Sequence, residues 1–213
     1  LGDAFGEGYF DSHYGGRYAE RNPPRKMARY LAAALAAHPG GTLLDVGCAY
    51  GAFLAVARER YAASGCDISE HAVGQAKARL PGLSIFRSSL EAIPEEATYD
   101  VVTCFDVLEH VADLDGAFEK VKRLLNPGGG MVLTVPVYDG AAGLAVRMLD
   151  RDETHRWKEG RAFWREKVRA HGFRIVRDEG LWRYPLPFGG YLFFGGTAWR
   201  HFSPAILIAA VTA

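Results

Sequence analysis

The chain has 213 residues, 49% of them apolar and 23% charged, with 25 basic and 25 acidic side chains and a formal net charge of zero. Those values fit one compact domain of ordinary composition. They exclude a global basic field that would gather nucleic acid and an acidic interaction arm, which leaves a small molecule as the simpler partner.

The opening residues alternate glycine, aromatic and charged types without the charged-then-apolar pattern of a signal peptide. From Tyr18 the chain passes through Pro23 and Pro24 into an alanine-rich helix over 25–37, ended by His38, Pro39, Gly40 and Gly41. An alternation follows: strand 42–46, helix 52–61, strand 63–67, helix 70–80, strand 83–87, strand 99–105, helix 114–125 and strand 131–135. Short apolar strands joined by helices require crossover connections, so the pattern predicts an α/β, doubly wound, mostly parallel sheet covered on both faces. The rhythm breaks after Pro136 and resumes with helix 161–170 and strand 173–177. A segment rich in proline, glycine and aromatics, 182–202, precedes a strand-like run over 205–211 that is too short to cross a bilayer, so no transmembrane segment is expected. One domain thus divides into a helical cover (1–41), a ligand-binding core (42–135) and a substrate-side insertion with C-terminal helix and strands (136–213). Cys48, Cys66 and Cys104 lie in or beside buried-strand runs without CxxC spacing, and read as reduced core residues of a cytoplasmic protein.

The chemistry concentrates where strand 42–46 runs into Gly47-Cys48-Ala49-Tyr50-Gly51. In an open α/β sheet this first turn lies at the carboxyl edge, where ligands bind at the switch in strand order. Gly47 lets the chain turn without a Cβ against a ligand, and Gly51 lets the helix start close to it. Asp67 ends the next strand and would face the same crevice, where a carboxylate accepts both hydroxyls of a ribose. Ala49 breaks the G-x-G-x-x-G fingerprint, so a nucleoside without a pyrophosphate fits better than a dinucleotide. A bulky side chain at Gly47 is therefore expected to block the ligand, and one at Gly41 to be tolerated.

Five segments in order, LLDVGCAYGAF, CDIS, LEAIP, YDVVTCFDVLEHV and LNPGGGMVLTVP, spanning 42–135, resemble the class I S-adenosylmethionine-dependent methyltransferases, most of all their ubiquinone-pathway and small-molecule O-methyltransferase branch. The resemblance implies a Rossmann-like seven-stranded sheet in the order 3-2-1-4-5-7-6 with the last strand antiparallel. It implies S-adenosylmethionine as cofactor and S-adenosylhomocysteine as product. It assigns Asp45, Gly47, Cys48, Ala49, Tyr50 and Gly51 to the methionine moiety, Asp67 to the ribose and Ile68 to the adenine face. Ser89 and Leu90 fall in the adenine-edge loop, where relatives often carry Asp in place of Ser89, and Asp106 falls on the sulfonium side. Glu109 reads as a cap or salt-bridge partner of the following helix, and His110 either as a structural histidine or as one near the substrate.

Methyl transfer from a sulfonium is a direct displacement, so alignment and exclusion of water matter most, and a base is needed only for a protonated acceptor such as a hydroxyl. His155, in the variable segment 150–157, is of the residue type whose ordinary pKa suits that task and stands as catalytic candidate with His110, against the reading that it only anchors its loop. Asp150, Asp152 and Glu153 beside it have no specific metal spacing, and no metal is expected. The aromatics Trp182, Tyr184, Phe188, Tyr191, Phe193, Phe194, Trp199 and Phe202 read as a cover over an apolar acceptor or as packing at the sheet edge or a dimer contact; Tyr9, Phe10, Tyr14 and Tyr18 have the same two readings. The expected activity is methylation of a small molecule, at oxygen ahead of nitrogen or carbon, by a monomer or homodimer. A macromolecular acceptor is disfavoured by the neutral charge and the lack of an Asn/Asp-Pro-Pro-Tyr step, and a non-catalytic binding protein by the intact nucleoside motifs.

Overall fold

A computed structural model describes residues 5–14, 16–150, 152–186 and 190–213. Three helices, α1 (Glu7–Tyr14), α2 (Tyr18–Arg21) and α3 (Pro24–Ala37), precede the sheet. Pro24 opens α3 because a first-turn residue needs no intrahelical N–H donor. The core then alternates β1 (Thr42–Val46), α4 (Ala52–Ala57), β2 (Ala62–Asp67), α5 (Glu70–Arg79), β3 (Ser84–Arg87), β4 (Tyr99–Phe105), α6 (Leu114–Arg123) and β5 (Leu125–Pro136). The remainder forms α7 (Gly140–Leu149), α8 (Arg161–Ala170), β6 (Phe173–Pro185), β7 (Tyr191–Gly196) and β8 (Ala205–Thr212).

The described strands form one eight-stranded sheet in the order β3-β2-β1-β4-β5-β8-β6-β7. The five strands from β1 to β5 pair in parallel, whereas β8 is antiparallel to both β5 and β6. This is the expected doubly wound α/β sheet, with β8 as the antiparallel last strand. It carries one strand more than the resemblance implies: β6 runs on to Pro185 and pairs antiparallel with β7, in the segment where proline and glycine interrupt any strand pattern. Helix α7 also fills the gap after Pro136, where Gly140, Ala141, Ala142 and Gly143 give no apolar period to detect.

Alternation along the strands divides the core into two layers. Leu44, Val46, Val102 and Cys104 pack with Phe118 and Val121 of α6 and Trp164 and Val168 of α8. Leu43, Val101 and Val132 face the other way, onto Tyr30 and Ala34 of α3 and Phe53 and Leu54 of α4. All three cysteines are free and buried, and burial pushes each thiol up, away from the reactive thiolate.

The start of the sheet is tied by Asp100, which accepts from the Thr42 amide (2.8 Å), the Thr42 hydroxyl (3.1 Å) and the Asn126 side chain (2.9 Å). This corrects the expectation for Gly41: its φ is +93°, and a Cβ there would overlap that pinned carboxylate. Gly74, on the exposed face of α5, has nothing within 4 Å of a Cβ. Denaturant unfolding should find Gly41→Ala destabilised by about 1–3 kcal/mol and Gly74→Ala stabilised by about 0.5–1 kcal/mol. Equal stabilities for Gly41→Ala and the parent chain would refute the backbone constraint.

Candidate functional site

A cavity of 1470 Å³ opens at the carboxyl ends of β1, β2 and β4, large enough for a nucleoside cofactor and a second small molecule. Its floor is the turn after β1. Gly47 has φ +71°, Ala49 φ +47° and Gly51 φ +78°, and the amides of Gly47 and Cys48 both donate to the Cys66 carbonyl (2.8 and 3.0 Å). Asp67 holds the turn from β2: one carboxylate oxygen accepts from the Ala49 amide and the other from the Ser69 amide, each at 2.9 Å. Each oxygen keeps a lone-pair direction for a ligand hydroxyl. Burial raises the Asp67 carboxyl and these backbone bonds oppose the shift.

Asp45, Gly47, Cys48, Ala49, Asp67, Ile68, Ser89 and Leu90 all line the cavity, as does Asp106. Tyr50 and Gly51 are not on its wall. Tyr50 instead carries the N-terminal cover, stacking on Phe10 (4.9 Å between centroids) and packing on Tyr18 (4.6 Å). A Cβ on Gly51 would come within 2.7 Å of Leu80, so that glycine serves the packing of α4 on α5. Gly47 is required twice, by its positive φ and by Val107, which a Cβ would overlap.

Tyr9, Phe10, Tyr14 and Tyr18 form one wall of the cavity, with Tyr9 donating to Asp152 at 3.3 Å. Of the late aromatics Tyr191 reaches the cavity; Phe193 packs in the core, Trp182, Phe194 and Trp199 pack on one another at the outer edge, and Phe202 is exposed. Phe188 lies outside the described residues.

Asp106 follows β4 with φ +58°, and its carboxylate is taken by a bidentate pair with Arg183 of β6 and by the Thr134 hydroxyl (3.0 Å). Burial raises its carboxyl, but Arg183 outweighs that and holds it below the usual range. Among the described residues Glu109 neither caps α6 nor forms an ion pair. Asp113 supplies the cap, accepting from the Gly116 amide at 3.0 Å. Glu109 is fully buried with neither carboxylate oxygen hydrogen-bonded among the described residues, and burial followed by Asp106 pushes its pKa well up.

The second catalytic candidate, His110, comes together with His155, their ring centroids 4.7 Å apart on the cavity wall. The Glu109 carbonyl joins the two segments by accepting from the amides of Arg156 (2.8 Å) and Trp157 (3.2 Å). His110 Nδ1 lies 2.9 Å from the Thr154 hydroxyl, which gives its own proton to Asp152 at 2.5 Å. His155 Nδ1 lies 3.0 Å from Asp150 and 3.1 Å from the Tyr138 hydroxyl, which donates to Asp150 at 2.5 Å. Burial raises Asp150, but Tyr138, His155, the Asp152 amide and Lys158 prevail and hold it at about 2. Burial, then neighbouring His155, lowers the pKa of His110. One ligand atom each from Glu109, His110 and His155 falls within 4.8 Å of the others, a spacing that a divalent cation can bridge.

Sequence reasoning missed Lys26, Tyr30, Tyr138 and Arg183, all brought to or beside this cavity from elements that look purely structural in the sequence. Lys26 and Tyr30 sit within an ordinary helical period and Arg183 in the segment rich in proline, glycine and aromatics. No local signal marks them.

Residues 18–178 match the family model described as "Methyltransferase domain". A ubiquinone biosynthesis O-methyltransferase of Paracidovorax citrulli is 36% identical over 103 residues, covering 45% of this chain and 43% of that protein. An uncharacterized 37.1 kDa transposon protein of Streptomyces fradiae is 34% identical over 50% of this chain and 33% of its own length. The chain thus matches less than half the length of these curated relatives. In fold it is similar to an S-adenosylmethionine-dependent methyltransferase of Thermotoga maritima (TM-score 0.73, 15% identity, 96% of this chain and 97% of that one). It is also similar to the magnesium protoporphyrin IX methyltransferase of Synechocystis with bound S-adenosylhomocysteine (TM-score 0.67, 18% identity, 97% of both chains).

Asp45 offers a test of the cavity floor that needs no ligand. Burial pushes its carboxyl up to about 7, against the Thr103 hydroxyl that donates to it at 2.6 Å and with the help of Asp67. The folded state therefore holds this proton more tightly than the unfolded chain, so the contribution is full below about pH 4 and is lost as pH rises through about 7. Between those limits the ligand-free parent should lose a few kcal/mol of stability, on the order given by linkage, relative to Asp45→Asn. Urea titrations of both proteins across that window check it; parallel pH dependence would remove Asp45 as a buried titrating group.

Proposed function

The chain belongs to the methyltransferase-domain family, in its class I S-adenosylmethionine-dependent form, and from that premise we propose that it transfers the sulfonium methyl group to a hydroxyl oxygen of a small molecule. The nucleoside lies along β1, β2 and the Ser89 loop, its ribose on Asp67 and its methionine end over Gly47 and Asp45. The acceptor takes the remainder of the cavity, toward α1 and the histidine pair.

The observation that carries an oxygen acceptor is the oriented pair of imidazoles, His110 and His155. Because the Thr154 hydroxyl donates to Asp152, it can only accept from His110, which puts the proton on Nδ1 and leaves Nε2 bare. Asp150 accepts from both the Tyr138 hydroxyl and His155 Nδ1, which orients the second ring, while His155 Nε2 lies 3.7 Å from Asp152. In the transfer the acceptor oxygen forms a bond to the methyl carbon and the carbon–sulfur bond breaks with its pair going to sulfur. The hydroxyl proton passes to an imidazole: His155 is the base, with the carboxylates of Asp150 and Asp152 beside the imidazolium that forms, and His110 is its neighbour at the acceptor. The O-methyltransferase named above supports the same choice of atom.

A second reading is favoured by Glu109, whose buried carboxylate has no hydrogen-bond partner among the described residues. A divalent cation on Glu109, His110 and His155 would polarise the acceptor hydroxyl directly. Chelation separates the two: full turnover after dialysis against a chelator supports the imidazole base, whereas loss restored by a divalent cation supports the metal.

Asp67→Ala removes two charge-assisted bonds to the ribose and should weaken S-adenosylhomocysteine by at least about tenfold in calorimetry. Unchanged affinity in a folded variant would take Asp67 out of the site. His155→Ala should leave that affinity near the parent's while lowering turnover by roughly 10²- to 10⁴-fold. Because burial and His155 hold the His110 pKa below its ordinary 6.5, the part of any acid loss of turnover that comes from protonating His110 should fall below that value and be absent from His110→Ala. An acid limb that stays the same in His110→Ala would take His110 out of the step.

A further inference from the structure

We propose that Tyr9 of α1 is a positioning residue for the transfer: by donating to Asp152 Oδ2 it keeps that oxygen from drawing a proton onto His155 Nε2, so that Nε2 stays bare toward the acceptor while the N-terminal cover is seated. The inference rests on the reading above that His155 is the base.

His155 has two neutral tautomers, and its neighbours decide between them. With the proton on Nδ1 the ring donates to Asp150 at 3.0 Å, and Nε2 carries a lone pair. With the proton on Nε2 the ring faces Asp152 Oδ2, 3.7 Å away, while Nδ1 lies 3.1 Å from the Tyr138 hydroxyl, which can turn its proton from Asp150 to the ring. Asp150 and Tyr138 occupy the Nδ1 side in either case, so Nε2 is the nitrogen left for an acceptor hydroxyl, and it takes that proton only in the first tautomer. The choice falls on Asp152.

The two carboxylate oxygens of Asp152 have different duties. Oδ1 accepts from the Thr154 amide (2.9 Å) and the Thr154 hydroxyl (2.5 Å), which fixes the carboxylate within its own loop. Oδ2 accepts from the Tyr9 hydroxyl at 3.3 Å. The phenol is thus within hydrogen-bond distance of the oxygen that His155 Nε2 faces from beyond it. One oxygen stands between the cover and the base. Burial, then Asp152, pushes the Tyr9 hydroxyl up, so it keeps the proton that it donates.

The seat of Tyr9 is made by rings as well as by that bond. Its ring meets Phe5 at 4.9 Å and Phe10 at 5.6 Å between centroids, and Phe10 stacks on Tyr50 of the loop after β1 at 4.9 Å. Phe5 also makes a T-shaped contact with His110 at 5.7 Å. The cover is therefore anchored on the cofactor loop through Phe10 and reaches the imidazoles through Phe5 and Tyr9. Lifting it from Tyr50 withdraws the phenol from Asp152 and lets the imidazole move its proton to Nε2.

Protein carrying nitrogen-labelled histidine and saturated with S-adenosylhomocysteine reports each ring's tautomer in two-bond proton–nitrogen correlation spectra, recorded at roughly pH 9, where an ordinary histidine is neutral. His155→Gln identifies the His155 signals. The parent should show His155 protonated on Nδ1. Tyr9→Phe keeps the ring and its packing, and should raise the ratio of Nε2- to Nδ1-protonated ring at least about fivefold, the worth of one ordinary hydrogen bond. Its S-adenosylhomocysteine affinity should stay within about twofold of the parent's. Phe10→Ala, which unseats the cover without touching the phenol, should move the ratio the same way. In Asp152→Asn the Thr154 donors hold the amide oxygen, so an amide N–H faces Nε2, and adding Tyr9→Phe should then change the ratio by less than about twofold. A parent ring protonated on Nε2, an unchanged ratio in folded Tyr9→Phe, or an effect of Tyr9→Phe that survives in Asp152→Asn overturns the proposal. If Tyr9→Phe does not fold, Phe10→Ala with and without Asp152→Asn carries the same comparison. The spectra need no acceptor, so they are separate from the test of the base: full turnover in His155→Ala would remove the base, and with it this role for Tyr9, whatever the tautomer.

Discussion

The buried carboxylate of Asp67 is the interaction on which the site depends. With one oxygen on the Ala49 amide and the other on the Ser69 amide, it fixes the loop after β1 and the entry to α5 from a single side chain at the end of β2. That loop contains three residues with positive φ, a conformation that costs free energy at Ala49 and persists because Asp67 and the Cys66 carbonyl hold the amides. A ligand hydroxyl thus meets an acceptor that is already desolvated and oriented, so little ordering remains to oppose binding.

The other half of the cavity is assembled by contacts between distant parts of the chain. The Asp106–Arg183 pair joins the end of β4 to the β6–β7 hairpin and neutralises an acid that would otherwise line the cavity as a free carboxylate. The backbone bonds from Arg156 and Trp157 to Glu109 bring the two imidazoles together. Lys26, Asp106, Asp150 and Arg183 all line this one cavity, a charge pattern that the overall net charge of zero conceals. Charge counted over the whole chain says little about the field inside a cavity with low-dielectric walls.

The end of β4 shows how one residue's expected role changes with its partners. Asp106 lines the cavity as its position after β4 implies, yet Arg183 and Thr134 occupy its carboxylate. Tyr50, assigned to the methionine moiety by its place in the motif, turns out to brace the aromatic cover from behind. Gly51 answers to Leu80 and to its own φ, and Gly41, outside the motif, is constrained as tightly by Asp100. Motif membership identified the loop but not which of its atoms face inward.

The sequence by itself determined the alternating strands and helices, the turn at Gly47, the acid at Asp67 and the two histidines as candidates. These follow from local rules: hydrophobic period, the backbone freedom of glycine, and the spacing of one βα unit. Only the tertiary structure decided that β6 and β7 extend the sheet, that His110 and His155 meet, and that Lys26, Tyr30 and Arg183 belong to the cavity. The reason is that each of these rests on partners far apart in the chain. A lysine in the first turn of α3 has the same local pattern whether it faces water or a buried ring, and an arginine on β6 gives no hint of Asp106 until the sheet has closed between them.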